Sequence, residues 1–205
     1  MRGLLISWEG LDRVGKTTQL MRVARWLEEE VGELLTVREP GGTPFGEAVR
    51  DVLLHQVEAG SNLAEFLAFA AARAELMEMV VLPALSRGAV VLMDRFIDSS
   101  VAYQAFGRGV DLDLVQNVNR AVTHDRVPDL TIWLRGEPFG GQGPDWLERR
   151  QAEYFQRVES GYAWLSRKEP TRWFIVNSRQ DPDVIFEILQ TRIRSILPAK
   201  GGSPT

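Results

Sequence analysis

Residues 4–18 read Leu4-Leu-Ile-Ser-Trp8-Glu9-Gly10-Leu-Asp12-Arg13-Val14-Gly15-Lys16-Thr17-Thr18. An apolar run ends at an acid, a glycine-bounded loop follows, and a helix-forming stretch opens at Lys16. Gly10 through Thr17 fit the spacing G-x-x-x-x-G-K-[ST]. In that layout the glycines let the backbone curl so that successive N–H groups point at phosphate oxygens, and the helix N-terminus adds positive potential. Lys16 then serves as a point charge for the β- and γ-phosphates of ATP, and Thr17 offers a hydroxyl to Mg²⁺. The candidate nucleotide-contacting set is Gly10, Asp12, Arg13, Val14, Gly15, Lys16, Thr17 and Thr18. The plainer reading is a glycine-rich turn without a ligand, but the strand before it and the helix after it favour the phosphate cradle.

Working outward, five short apolar runs read as buried strands: Leu4–Trp8, Leu34–Arg38, Ala89–Met93, Leu130–Leu134 and Trp173–Val176. Each is nearly continuous rather than alternating, as strands covered on both faces should be. Stretches with helical spacing lie between them: Lys16–Val31, Asn62–Ser86, Leu112–Val122, Trp146–Leu165 and Asp183–Leu197. Strands alternating with helices predict an α/β fold of the P-loop NTP hydrolase type. Its core would be a central five-stranded parallel sheet with helices on both faces. Residues 1–197 are expected to form a single domain and residues 198–205 a flexible tail. Gly136–Asp145 is the one Gly/Pro-rich segment inside the domain and reads as a mobile loop.

Composition narrows the function. The formal net charge of −4 gives no broad surface for nucleic acid or anionic lipid. The chain has no cysteine, which removes disulfides, thiolate metal sites and cysteine nucleophiles. No apolar run approaches the ~20 residues of a membrane helix, and the N-terminus lacks a signal-peptide core. The expected address is cytoplasmic. The histidines, His55 and His124, fall near the ends of predicted helices and read as structural.

Several further residues carry two readings. Arg13 is either a solvated loop residue or a cation delivered to the transferring phosphoryl group from within the cradle. Asp94, at the end of the third strand, either caps a helix or holds Mg²⁺; beside it, Arg95 would sit at the carboxyl end of the sheet, where such folds bind ligands. Phe69 and Arg73 are four apart, so they share one helix face. Phe69 is either core packing or a platform for a base, and Arg73 one turn later favours the base.

Specific stretches then resemble the thymidylate kinase family. They are Glu9–Gln19; Arg38-Glu-Pro-Gly-Gly-Thr-Pro-Phe-Gly46-Glu47 with Arg50; Phe69 with Arg73 and Pro83-Ala-Leu85; and Asp94-Arg95-Phe-Ile-Asp-Ser99-Ser100-Val-Ala-Tyr103-Gln104 through Gly107-Arg108-Gly109. The similarity runs from about Leu4 to the C-terminal helix. It implies a nucleoside-monophosphate kinase that moves the γ-phosphate of ATP to dTMP with Mg²⁺ held by Thr17 and Asp94. It further implies that Arg38 and Arg95 hold the acceptor phosphate, that Phe69 stacks thymine and that Arg73 binds its edge. Asp12 would accept from a sugar hydroxyl. Ser99, Ser100, Tyr103 and Gln104 would line the nucleoside site, with Tyr103 near the sugar carbon that lacks a hydroxyl. Lys16, Arg13, Arg95 and Asp94 form the catalytic set. A homodimer is implied by the resemblance alone. Another nucleotide kinase, and a nucleotide-binding regulator with weakened transfer, are the competing functions.

The chain departs from the family at its lid, a segment expected at about residues 135–150. The stretch before Gln156-Arg157-Val158 is shortened, and Trp146 stands where many bacterial relatives place a lid arginine; Glu148 matches. Some members carry the arginine in the cradle instead, and Arg13 fits that arrangement, with Arg149 and Arg150 as weaker candidates. Ala72 also departs, since relatives often have an acid before the base-contacting arginine.

Overall fold

In the computed structural model, which describes residues 3–53, 61–137 and 146–197 (side chains in the last segment from residue 152), each of the five apolar runs is a strand. The strands are Leu4–Glu9 (β1), Leu34–Arg38 (β2), Val90–Asp94 (β3), Leu130–Arg135 (β4) and Trp173–Asn177 (β5). They form one parallel sheet in the order β2-β3-β1-β4-β5. Successive residues of β3 enter different cores, as a strand buried on both faces requires. Val90 and Leu92 cluster with Val23 and Leu27 of helix Lys16–Leu27 (α1). Val91 and Met93 cluster with Leu76, Met77 and Val81.

The chain runs from β2 to β3, beside β1, and then crosses to β4 on the other side of β1. The carboxyl ends of β1 and β3 therefore lie side by side at the reversal of strand order, with Trp8 opposite Asp94. In open α/β sheets this crevice is where ligands bind.

The remaining helices are Pro44–Asp51 (α2), Asn62–Leu76 (α3), Leu82–Arg87 (α4), Ile97–Ser100 (α5), Leu112–Thr123 (α6), Trp146–Lys168 (α7) and Pro182–Arg194 (α8). The long helix expected over 62–86 is present, but a π-helical turn at Met77–Val81 joins α3 to α4. Pro83 lacks an N–H and would collide with the carbonyl four residues back, so the widened turn accommodates it. The sequence gives no clear helical period over 97–107, yet α5 continues there into a second π-helical segment, Val101–Gly107. This segment lies against α7 at Gly161, where a Cβ would meet the Ala102 Cα at 2.9 Å. The contact brings Tyr154 and Tyr162 of α7 to the edges of the Tyr103 ring.

His124 ends α6 in a left-handed conformation, with Glu78 at 3.5 Å. His55, the loop expected at 136–145 from residue 138 onward, and the tail at 198–205 lie outside the described residues, as do the side chains of Trp146, Glu148, Arg149 and Arg150.

Candidate active site

The cradle begins where β1 ends. Gly10 has φ +135°, and a Cβ there would fall 2.4 Å from the Leu134 carbonyl oxygen, so only glycine lets the chain leave the sheet at this point. Val14 is buried and fixes the middle of the loop to the core. Lys16 is also buried, and its Nζ donates to the Leu11 carbonyl at 2.6 Å. Burial first, then Arg95, lowers its pKa to about 8. A polyphosphate at Nζ would replace the neutral carbonyl with anionic oxygens and favour the charged form.

Thr17 Oγ1 donates to Asp94 Oδ2 at 2.7 Å, because the β1–β3 register places the loop beside the end of β3. The hydroxyl and carboxylate form a hard-oxygen pair suited to Mg²⁺. Among the described residues no group of three or more His, Cys, Asp or Glu is placed to hold a metal ion.

Arg13 is exposed, takes a left-handed φ of +62° and has no hydrogen bond or ion pair among the described residues. It lines a cleft of about 420 Å³ together with Lys16, Thr17, Thr18, Asp94 and Arg38. Arg38 is more than half exposed and pairs with Glu47 at 3.1 Å.

A second cavity, of about 520 Å³, adjoins the first. Phe69, Arg73, Ser99, Ser100, Tyr103 and Gln104, named from the sequence, all line it. Arg73 is 2% exposed and its donors already have protein partners. Nε bonds Glu39 at 2.8 Å, Nη1 bonds Ser100 at 3.0 Å and Asn119 at 2.6 Å, and Nη2 reaches the Phe96 carbonyl at 3.3 Å and Glu39 at 2.6 Å. A base carbonyl would have to share or displace one of these acceptors. Glu39 is a partner the sequence reading missed. Its burial raises its pKa despite Arg73, and its Oε1 is buried without a hydrogen bond among the described residues.

Arg95 stands at the junction of the cavities. Its Nη2 bonds Asp12 at 2.6 Å and Tyr103 OH at 3.2 Å, while Nη1 bonds Ser99 at 3.0 Å and Tyr162 OH at 3.4 Å. Burial opposes its charge, but Tyr103, Tyr162, Asp12 and Glu9 outweigh that and hold its pKa high. Asp12 also pays a burial penalty, yet Arg95 and then Lys16 hold its pKa low, leaving an acceptor beside the cavity. Arg50 and Arg108 are further cations on the cavity wall. Both were visible in the quoted stretches, and Arg50 shares a helix face with Glu47 three residues before it.

A family model described as Thymidylate kinase matches residues 8–188. The chain belongs to the thymidylate kinase family. A thymidylate kinase from Desulforudis audaxviator is 41% identical over 100% of this chain and 97% of its own length. One from Chlorobaculum parvum is 37% identical over 94% and 96%, respectively. The crystal structure of a thymidylate kinase from Ehrlichia chaffeensis superimposes with a TM-score of 0.83 at 31% identity, covering 95% of this chain and 100% of that one. Family membership makes the chain an ATP-dependent nucleoside-monophosphate kinase, and the expected sheet and P-loop are those of a thymidylate kinase.

Proposed function

We propose that this chain catalyses ATP + dTMP → ADP + dTDP, supplying dTDP for dTTP synthesis. The observation that carries the reading is that Asp12, Glu39, Arg50 and Arg95 line both the cradle cleft and the Phe69–Arg73 cavity. A nucleoside monophosphate with its base on Phe69 and its phosphate at Arg95 would present that phosphate to the end of the cradle. The reaction is then positioning plus charge neutralisation.

The acceptor oxygen is already anionic near neutral pH, so no strong general base is needed. Lys16 holds the donor's terminal phosphates and Arg95 the acceptor phosphate, assisted from the rim by Arg38. Arg13, without a hydrogen bond or ion pair among the described residues, follows the charge of the transferring group. Mg²⁺, held through Thr17 and Asp94, would neutralise charge on the donor phosphates. Asp12 takes a sugar hydroxyl, and Tyr103 packs against the deoxy carbon, disfavouring a ribose. Ser100 and Gln104 complete the nucleoside wall.

The unit is read as a single kinase domain over residues 1–197, with its lid at about 135–150. No helix among the described residues is long and apolar enough to cross a membrane, and we place the enzyme in the cytoplasm. We also assign a homodimer. Leu63 and Leu67, one turn apart on α3, are 41% and 46% exposed and form part of an apolar face that a second copy would cover. Light scattering at micromolar concentration, reading twice the chain mass, would support it; the monomer mass would remove it.

The activity is tested by following ADP and nucleoside diphosphate with ATP, Mg²⁺ and each nucleoside monophosphate in turn, against a tube without acceptor. Turnover largely confined to dTMP is expected. Equal ADP release in every tube, or none in any, would overturn the assignment in favour of an ATPase or a nucleotide-binding regulator. Preference for a different monophosphate would make the chain a kinase of that nucleotide.

A further inference from the structure

We infer that Glu9 is a positioning residue for the acceptor phosphate, orienting Arg95 through the hydroxyls of Ser99 and Tyr162. The inference rests on the reading of Arg95 as the cation that holds that phosphate. Glu9 is the last residue of β1 and is fully buried, yet nothing in the transfer step uses it directly. Its Oε2 accepts from Ser99 Oγ at 2.6 Å and from Tyr162 OH at 2.9 Å. Each hydroxyl has a single proton. Once that proton goes to Glu9, both oxygens must turn lone pairs elsewhere, and Arg95 Nη1 lies 3.0 Å from one and 3.4 Å from the other. The ionised carboxylate therefore sets the polarity of the seat that receives the guanidinium.

The other carboxylate oxygen works on the backbone. Arg95 has φ +71°, an unusual conformation for a residue with a Cβ. Its N–H donates to the Trp8 carbonyl at 3.0 Å, and the next N–H, of Phe96, donates to Glu9 Oε1 at 2.9 Å. The end of β1 thus brackets the strained residue from both sides, which is how such conformations persist at functional sites. Glu9 fixes Arg95 at its main chain and at its guanidinium. An amide in its place must donate at one of the two positions where the carboxylate only accepts: with its nitrogen at the Oε2 position both hydroxyls would turn their protons away, and with it at the Oε1 position the Phe96 N–H would face a donor.

Asp98 on α5, Arg95 itself, Tyr162 on α7 and Lys16 in the cradle are the titratable groups that act on Glu9. Burial first, then Asp98, raises its pKa to about 7 against the opposing effects of Ser99, Arg95 and Tyr162. The seat is therefore expected to weaken on mild acidification.

The test compares wild type, Glu9→Gln and Tyr162→Phe as full chains, with calorimetric binding of dTMP and thymidine and with KM for ATP. Glu9→Gln should weaken dTMP by at least about tenfold while leaving thymidine and the ATP KM within about twofold, since only the phosphate meets Arg95. Its deficit relative to wild type should shrink from about pH 8 to about pH 6, because the wild-type carboxyl protonates in that range. Tyr162→Phe, which keeps the core shape, should weaken dTMP about threefold. Unchanged dTMP affinity in folded Glu9→Gln, or equal losses for dTMP and thymidine, would overturn the inference. Should Glu9→Gln fail to fold, Tyr162→Phe decides, and unchanged dTMP affinity there overturns it. A wild type that binds no dTMP would sink the proposed function and this inference with it; a normal wild type beside an unaffected variant would sink the inference alone.

Discussion

Arg73 and Arg13 line adjoining cavities and are held in opposite ways. Arg73 is buried, ion-paired to Glu39 and bonded to Ser100, Asn119 and Phe96. Arg13 is exposed and has no partner among the described residues. The contrast separates two tasks. A group that recognises an acceptor in its ground state gains from being fixed before binding. A group that meets charge only as it develops in the transition state must stay available for it. On this account the acceptor wall is built in advance, and the cradle keeps one cation in reserve.

The largest effect is expected at Lys16, the cation assigned to the donor's terminal phosphates. Lys16→Ala should lower kcat/KM by about 10³-fold with the fold intact, measured by steady-state kinetics beside a thermal melt. At Arg73 the effect should move from kinetics to stability. Arg73→Ala leaves Glu39 buried and unpaired, which costs about 3–5 kcal/mol and lowers Tm by about 10 °C. A melt matching wild type would mean the Arg73 network is not a structural commitment.

A smaller effect should come from Glu9. Its pKa rises from 4.5 to about 7 on folding, so the folded state holds the proton over a range where the unfolded state has lost it. This group's contribution to stability is present below about pH 4.5 and declines as pH rises to about 7. Melts across that range should show the decline in wild type and a flatter profile in Glu9→Gln. The smallest change is expected at Asp12, whose side chain is 68% exposed. Asp12→Asn should alter stability by less than about 1 kcal/mol while raising the dTMP KM severalfold.

What the sequence revealed follows from the range of each interaction. The strands were legible because both faces of the sheet are covered, which leaves continuous apolar runs. The cradle was legible because its residues are contiguous. Phe69 and Arg73 were legible as one face of a helix. The buried acids were not, because their partners are distant in the chain. Glu39 meets Arg73 34 residues away, Asp98 meets Arg172 74 away, and Glu9 meets Tyr162 153 away. The helix at 97–107 escaped for a related reason. Asp98, Ser99 and Ser100 look like a surface stretch, yet all are buried because distant groups satisfy them. The π-helical turns then break the 3.6-residue period that would have marked the segment as helical.

The central claim, that Arg13 of the cradle completes the transition-state site, is tested most directly by the kcat of Arg13→Ala at saturating ATP and dTMP. A fall of at least about 10²-fold is expected with KM for dTMP essentially unchanged, the signature of a contact made only in the transition state. A kcat within a fewfold of wild type would contradict it and assign that task to another cation, with Arg149 and Arg150 the first to replace.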